Sequence, residues 1–362
     1  MGPFTSHQFS LVKTPCLEGK VAVITGGQAG VGCEITKTLL ACHIKKVIVL
    51  ARSGRKFDSA LEEWRRLPHL GIVKSENDIE ETVPFIQCDL SDVYSVRDAV
   101  PEIEKYTDRV DYVFCNAGLG VMDKYAISPQ GIEAVFAANV VGHQVLLTLL
   151  LPLMRRTIAE HGASDVRVIV TSSSMHRLCR ELDLSLLQSS GATKPQLFDG
   201  IWRYARSKVG TILLAREFTE RLLASPNEAD HHIYVNAFNP GNIATEQMDV
   251  WKSYFGFIIG TLIKLFFAIF GQSTQDGAST ALYLAVSPDV TRGKGMRGEY
   301  LMPVAVKDRT SNLAENRPLA RELWDWVDTQ VTNILGENWG SPDQRLIDGA
   351  GVEKKEKEAS TA

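Results

Sequence analysis

Short runs of consecutive apolar, often β-branched residues recur along the chain, separated by longer stretches of helical periodicity. The runs are Lys20–Gly26, Lys45–Arg52, Val83–Leu90, Val110–Gly118, Val166–Ser173 and His232–Gly241. Continuous apolar character, rather than alternation, is what a parallel strand covered on both faces requires. Helical patterns fall between them, as at Val31–His43, Val93–Tyr106 and Val135–Met154. A seventh strand is expected at Gly298–Pro303 and an amphipathic helix at Arg317–Leu335. This alternation predicts an α/β, doubly wound fold with a mostly parallel seven-stranded sheet in a single domain. The organisation expected is a flexible leader over 1–18, the sheet domain over 19–305, a helical extension over 306–340 and a disordered tail over 341–362. Within the sheet domain an insert is expected at 177–200 and an apolar lid at 246–271.

Composition changes this picture little. The 362 residues carry a formal net charge of -4, with 44% hydrophobic and 23% charged residues, an ordinary globular balance. No basic stripe marks a nucleic-acid surface. The six cysteines form no C-x-x-C, so a metal site is not expected, and they read as reduced core thiols of an intracellular protein. The first 15 residues have no apolar core of a signal peptide, and Pro3 weakens their loose match to an N-acylation pattern.

Candidate chemistry begins directly after the first strand, at TGGQAGVG. Gly26, Gly30 and Gly32 sit at a strand-to-helix turn, with Val31 opening the apolar helix. Such a turn lets backbone approach a pyrophosphate, which the helix N-terminus then receives. A tight turn without a ligand is the plain alternative. At the end of the second strand, where an acidic residue would bind a ribose hydroxyl, the chain has Ala51 and Arg52. A guanidinium there suits a 2′-phosphate, which predicts NADP(H); the alternative is a solvated strand-end charge. Farther on, Tyr204 and Lys208 are spaced to share one helix face.

With these residues in place, the stretch from about Lys20 to Pro303 resembles the short-chain dehydrogenase/reductase family. Its signatures occur in order: TGGQAGVG, CDL, CNAG, AANVVGH, VTSSSMH, YARSK and NPGNIAT. The SSSMH motif, followed by a long insert, resembles the retinol dehydrogenase-like branch. The resemblance implies a Rossmann fold and places Asp89 at the adenine. It puts Asn116, Ala117 and Gly118 at the adenine-ribose side, and Pro240, Gly241, Ile243 and Thr245 at the nicotinamide and phosphates. Ser173 would donate to the substrate oxygen, Tyr204 would exchange its proton, and Lys208 would hold the nicotinamide ribose. Asn139 would relay protons through water; a satisfied buried amide or a helix kink is its alternative. Ser172, Ser173 and Ser174 stand in a row, and register favours the middle one. His176 reads as a structural or pocket residue, and His231 and His232 as surface. Ser173 and Tyr204 are farther apart than in many family members, which leaves the substrate pocket undefined.

Physically, hydride exchange with a carbonyl needs a proton on its oxygen. A free phenol titrates at about 10, and an ammonium one turn away would favour phenolate. The expected activity is therefore an NADPH-dependent oxidoreductase interconverting carbonyl and alcohol on a hydrophobic small molecule such as a sterol, retinoid, fatty aldehyde or polyketide-like ketone. The alternative is a non-catalytic NADP(H)-binding redox sensor, which would not need Ser173, Tyr204 and Lys208 together. No G-x-S-x-G elbow, H-E-x-x-H or Walker A sequence occurs. The apolar stretch Tyr254–Phe270 has one charge, Lys264, and is expected to be a lid that also touches a membrane surface. A buried helix and a membrane span are its alternatives. The expected location is cytoplasmic, with contact to the cytosolic face of a membrane and homodimerisation both left open.

Overall fold

The computed structural model describes residues 9–67, 76–188, 198–241, 256, 261, 272–293, 295–341 and 343–346. Its strands are β1 (Val21–Thr25), β2 (Lys46–Ala51), β3 (Phe85–Gln87), β4 (Tyr112–Cys115), β5 (Val166–Thr171), β6 (Ile233–Phe238), β7 (Tyr300–Met302) and β8 (Val306–Lys307). The main helices are α1 (Gly30–Ala41), α2 (Gly54–Arg65), α3 (Glu76–Thr82), α4 (Val93–Tyr106), α5 (Ala134–Ala159), α6 (Asp199–Ala224), α7 (Thr274–Val286) and α8 (Arg317–Leu335).

The strands form one sheet in the order β3-β2-β1-β4-β5-β6-β7-β8, parallel except for the β7–β8 pair. The sheet therefore has eight strands rather than seven. Val306–Lys307 is too short to carry a strand pattern, and only its antiparallel pairing with Leu301 and Met302 defines it. The third strand is shorter than its apolar run because Pro84 precedes it and the Asp89 turn ends it.

Side chains alternate between two apolar layers. Val23, Ile48, Val113 and Val168 face α4, α5, α6 and α8, whereas Ala22, Val47, Phe114 and Ile169 face α1, α2 and α7. Both faces are thus dry, the condition that made each strand a continuous apolar run. The chain winds outward from β1 to β3, then returns to β4 on the other side of β1. That reversal opens a crevice at the carboxyl ends of β1 and β4, where ligands bind in sheets of this kind.

Among the described residues, α5 is the one helix long and apolar enough to cross a membrane, and 94% of its apolar window is buried. It is the central helix of the first layer. The leader expected to be flexible is docked from Phe9 onward: Phe9 and Leu17 are buried, and Phe9 meets Tyr283 edge-on. The tail is likewise tied down as far as Leu346, whose carbonyl accepts from Arg221. The proposed lid stretch Tyr254–Phe270 lies outside the described residues except for its exposed Gly256 and Thr261.

Candidate active site

The glycine turn is built so that no side chain enters it. Gly26 has φ +69, and a Cβ on Gly32 would stand 2.3 Å from the Gly26 carbonyl oxygen and 2.5 Å from Asn116 Nδ2. α1 starts at Gly30 with no side-chain cap, and Gly30 and Ala29 are exposed. Its first N–H groups are therefore available to an anion. Val31 is half-buried beside Gly32.

The Thr25 hydroxyl ties this turn to the next one. It accepts from the backbone N–H of Asn116 and of Ala117, each at 2.9 Å. Asn116 Nδ2 in turn donates to the Thr25 carbonyl at 3.0 Å. Behind Thr25 stands His143, fully buried, its Nε2 at 3.1 Å from the threonine hydroxyl. The other ring nitrogen, Nδ1, is 2.9 Å from the Asn139 carbonyl oxygen and must carry the proton there. Nε2 then accepts from Thr25. Burial, with the nearby Lys208 charge adding to it, pushes His143 down to about 4, so the ring is neutral at physiological pH. His143 was not singled out in the sequence; its position four residues after Asn139 was the available signal.

Asn139 lies in a π-helical turn, Ala137–Val141, inside α5. Its side-chain oxygen accepts from Leu119 N–H at 2.7 Å, and its Nδ2 donates to the Leu119 carbonyl and the Ser207 hydroxyl at 3.0 and 2.9 Å. The amide thus holds the chain just beyond Gly118, where a Cβ would come 2.8 Å from Asn139 Oδ1.

At the carboxyl end of β5 the three serines separate. Ser172 is buried and donates to the Lys208 carbonyl at 2.8 Å. Ser173 is half-buried and is the hydrogen-bond partner of the Tyr204 phenol. Ser174 opens a short 3₁₀ turn that Ser173 caps. His176 is buried below, Nδ1 donating to the Ser173 carbonyl at 2.7 Å and Nε2 accepting from Ser311 N–H at 3.2 Å. Both its nitrogens are occupied by backbone, which leaves it no general-base role. His231 is half-exposed and His232 exposed, away from this end of the sheet.

Tyr204 and Lys208 project from α6. Lys208 Nζ stands 5.5 Å from the Tyr204 ring centroid and donates to the Thr171 carbonyl at 3.1 Å. Burial acts oppositely on the pair: it raises the phenol to about 12, against the Ser173 hydrogen bond, and lowers the ammonium to about 8. The lowering of the phenol by Lys208 expected from their spacing is absent in the chain alone, where burial raises the phenol and the Ser173 hydrogen bond opposes it.

Arg52 is exposed at the end of β2, and its carbonyl accepts from Gln87 Nε2 at 3.4 Å. No carboxylate pairs with its guanidinium among the described residues. Asp89 is half-buried and accepts from the backbone and hydroxyl of Ser91. Pro240 and Gly241 follow β6, with Gly241 at φ +92; Ile243 and Thr245 lie outside the described residues. Among the described residues no group of three metal-ligating side chains occurs.

The comparisons with known proteins agree with this geometry. The short chain dehydrogenase family profile matches residues 20–178. The chain is similar to the Neurospora crassa mitochondrial oxidoreductase bli-4, at 30% identity over 88% of this chain and 73% of that protein. It is similar to the short-chain dehydrogenase/reductase drtF of Aspergillus calidoustus, at 30% over 88% of this chain and 95% of the relative. Human polyprenol dehydrogenase is 28% identical over 87% and 86% of the two chains. Among solved structures, the Pseudomonas aeruginosa RhlG/NADP complex shares the fold with a TM-score of 0.56 and 21% identity, covering 79% of this chain and 95% of that one. The glycine turn, the serine at β5, the Tyr–Lys pair and the full-length relatives converge: the chain belongs to the short-chain dehydrogenase/reductase family and is an oxidoreductase.

Proposed function

We propose that the protein uses NADP(H) to interconvert a carbonyl and an alcohol on a hydrophobic small molecule, with Tyr204 exchanging the proton. The observation that carries this reading is the assembly of Ser173, Tyr204 and Lys208 at the carboxyl end of β5, with the phenol bonded to Ser173 and the ammonium 5.5 Å from the ring.

The residues present fit a dinucleotide: the turn at Gly26–Gly32 has room only because neither glycine carries a Cβ. When bound, the nicotinamide supplies or accepts the hydride. Tyr204, protonated at neutral pH, donates to the carbonyl oxygen as charge develops there. Ser173 donates a second hydrogen bond to the same oxygen. Lys208 stabilises the phenolate that Tyr204 becomes. Gly26, Gly30, Val31, Gly32, Asn116, Ala117 and Gly118 would line the dinucleotide, with Asp89 at its adenine end. Both N–H donors of the Asn139 amide are taken by the Leu119 carbonyl and Ser207, so a water relay at this position would meet its oxygens: the side-chain oxygen, which also accepts from Leu119, or the main-chain carbonyl, which also accepts from His143.

NADPH is favoured over NADH by the exposed, carboxylate-free Arg52 beside the N-cap of α2, Ser53. The NADP named in the RhlG complex is in keeping with that choice. An apolar substrate is supported by the half-buried Leu119, Val121, Met122 and Met175, and by Leu178, which is 44% exposed. The polyprenol named for the human relative is of the same class. A redox-sensor role draws no support from the relatives, which are described as dehydrogenases and oxidoreductases. The test is a panel of apolar aldehydes and ketones with NADPH, followed at the nicotinamide absorbance. Turnover of at least one, abolished in Tyr204→Phe, is the expected result; no turnover across the panel would overturn the reading.

A further inference from the structure

Immediately before Tyr204 stands Arg203, a guanidinium only 3% exposed. A buried charge is retained at high cost unless its surroundings are arranged to meet it. Here they are drawn from three separate segments. One terminal nitrogen, Nη2, donates to the Met122 carbonyl at 2.9 Å and the Lys124 carbonyl at 3.1 Å. The other, Nη1, pairs with Asp199 in the first turn of α6. Nε lies 3.5 Å from Glu133, and the Tyr125 ring covers the group at 5.5 Å.

Glu133 is itself engaged on several sides. Its carboxylate caps α5 by accepting from Val135 and Phe136 N–H, and its own N–H donates to the Leu187 carbonyl at 2.7 Å. The cluster therefore joins the start of α5, the start of α6 and the segment after Ser173. Its remaining partners belong to the loop that leaves β4 through Asn116–Gly118. That loop is anchored at Leu119 by Asn139, and at Met122 and Lys124 by Arg203. Between these anchors Gly120, Val121 and Met122 are half-buried, beside the helix that carries Tyr204.

We infer that Arg203 is a positioning residue: it clasps the Leu119–Tyr125 loop to the start of α6 and so sets the substrate-facing wall opposite Tyr204. A planar fork with five donors can reach two carbonyls and two carboxylates at once; a lysine ammonium cannot. The anchor at Asn139 serves the cofactor end of the loop, so releasing the Arg203 end moves the substrate wall while leaving the dinucleotide cradle in place. This inference rests on the oxidoreductase reading of the site.

The test compares wild type, Arg203→Lys and Tyr125→Leu, each as the full chain saturated with NADPH. Arg203→Lys keeps the charge that Glu133 and Asp199 require and so preserves the fold. Amide hydrogen exchange in residues 119–125 is expected to quicken at least 10-fold in Arg203→Lys and by less in Tyr125→Leu, with β4 and β5 unchanged. With farnesal as the carbonyl probe, KM is expected to rise about 10-fold in Arg203→Lys while kcat and the NADPH dissociation constant stay within about two-fold. Unchanged exchange at 119–125, or a KM rise matched by an equal loss of NADPH affinity, would overturn the clasp. If wild type does not reduce farnesal, a carbonyl of the panel that it does reduce takes its place for the KM comparison, and if it reduces none the proposed function falls while the exchange measurement alone decides the inference.

Discussion

Tyr204 and Lys208 stand one turn apart on α6, and burial drives their protons in opposite directions. The phenol is held protonated far above neutrality, whereas the ammonium is brought down to about 8. Lys208 is therefore the group of this pair that titrates within the working range of the free protein. In the proposed mechanism capture of the anionic cofactor and carbonyl reduction both use its positive charge, so kcat/KM for NADPH should fall as pH rises through about 8. A pH profile under cofactor-limiting conditions checks this; Lys208→Arg, weaker overall, should lose the step because a guanidinium stays charged. Tyr204→Phe should retain NADPH binding and lose about 10²-fold or more in reduction, the scale of a lost general acid. His143 sets a different limit. Its unfolded value lies near 6.5 and its folded value near 4, so the fold favours the neutral ring. The stability this contributes is complete above pH 6.5 and is lost progressively as pH falls towards 4. Urea unfolding from pH 7.5 to 4.5 should show that loss, and His143→Gln should flatten it. Spacing alone placed Tyr204 and Lys208 on one helix face, and the family resemblance supplied their roles. His143 and Arg203 were not, because an isolated histidine or arginine carries no signal until the fold shows what surrounds it.

Among the elements, those with regular periodicity were read nearly to the residue: Val93–Tyr106 and Arg317–Leu335 are observed as expected. The helix read as Val135–Met154 runs from Ala134 to Ala159 with a π turn at Asn139. A turn of that kind is a matter of backbone hydrogen bonding, which hydrophobic spacing does not report. The two-residue β8 escaped for lack of length. The glycine turn was legible because its constraint is steric and local: glycine alone fits at Gly32. The proposed cofactor choice rests on the end of β2. Arg52 is exposed and faces no carboxylate among the described residues, so NADPH should bind at least about 10-fold tighter than NADH, or about 1.4 kcal/mol. Titration of both cofactors into the apo protein measures the gap. Arg52→Ala should narrow it by weakening NADPH and sparing NADH; equal dissociation constants in wild type would rule the assignment out.

For the molecule as a whole, the C-terminal segment is part of the first apolar layer. Leu323, Trp324, Val327 and Val331 of α8 are buried in the same cluster as α5 and α6. Trp324 stacks on Phe218 with centroids 5.5 Å apart, its carbonyl accepts from Gln144 Nε2 at 3.1 Å, and Arg221 lies over its ring at 5.3 Å. One residue thus joins α8 to α5 and to α6, the helix that carries Tyr204 and Lys208. The segment beyond holds it down: Arg345 pairs with Asp328, and Arg155 of α5 pairs with Asp343. The amphipathic pattern showed that this helix had an apolar face, but its partners are distant in sequence and only the topology brings them together. Replacing Trp324 with Ala would remove a fully buried ring from the interface of three helices, at a cost of about 3–5 kcal/mol. The change should lower the urea midpoint accordingly and leave the NADPH dissociation constant of the folded protein within about two-fold, since the glycine turn lies on the opposite layer. An unchanged midpoint would mean that α8 is an appendage rather than a structural layer, and that α5 and α6 are ordered without it.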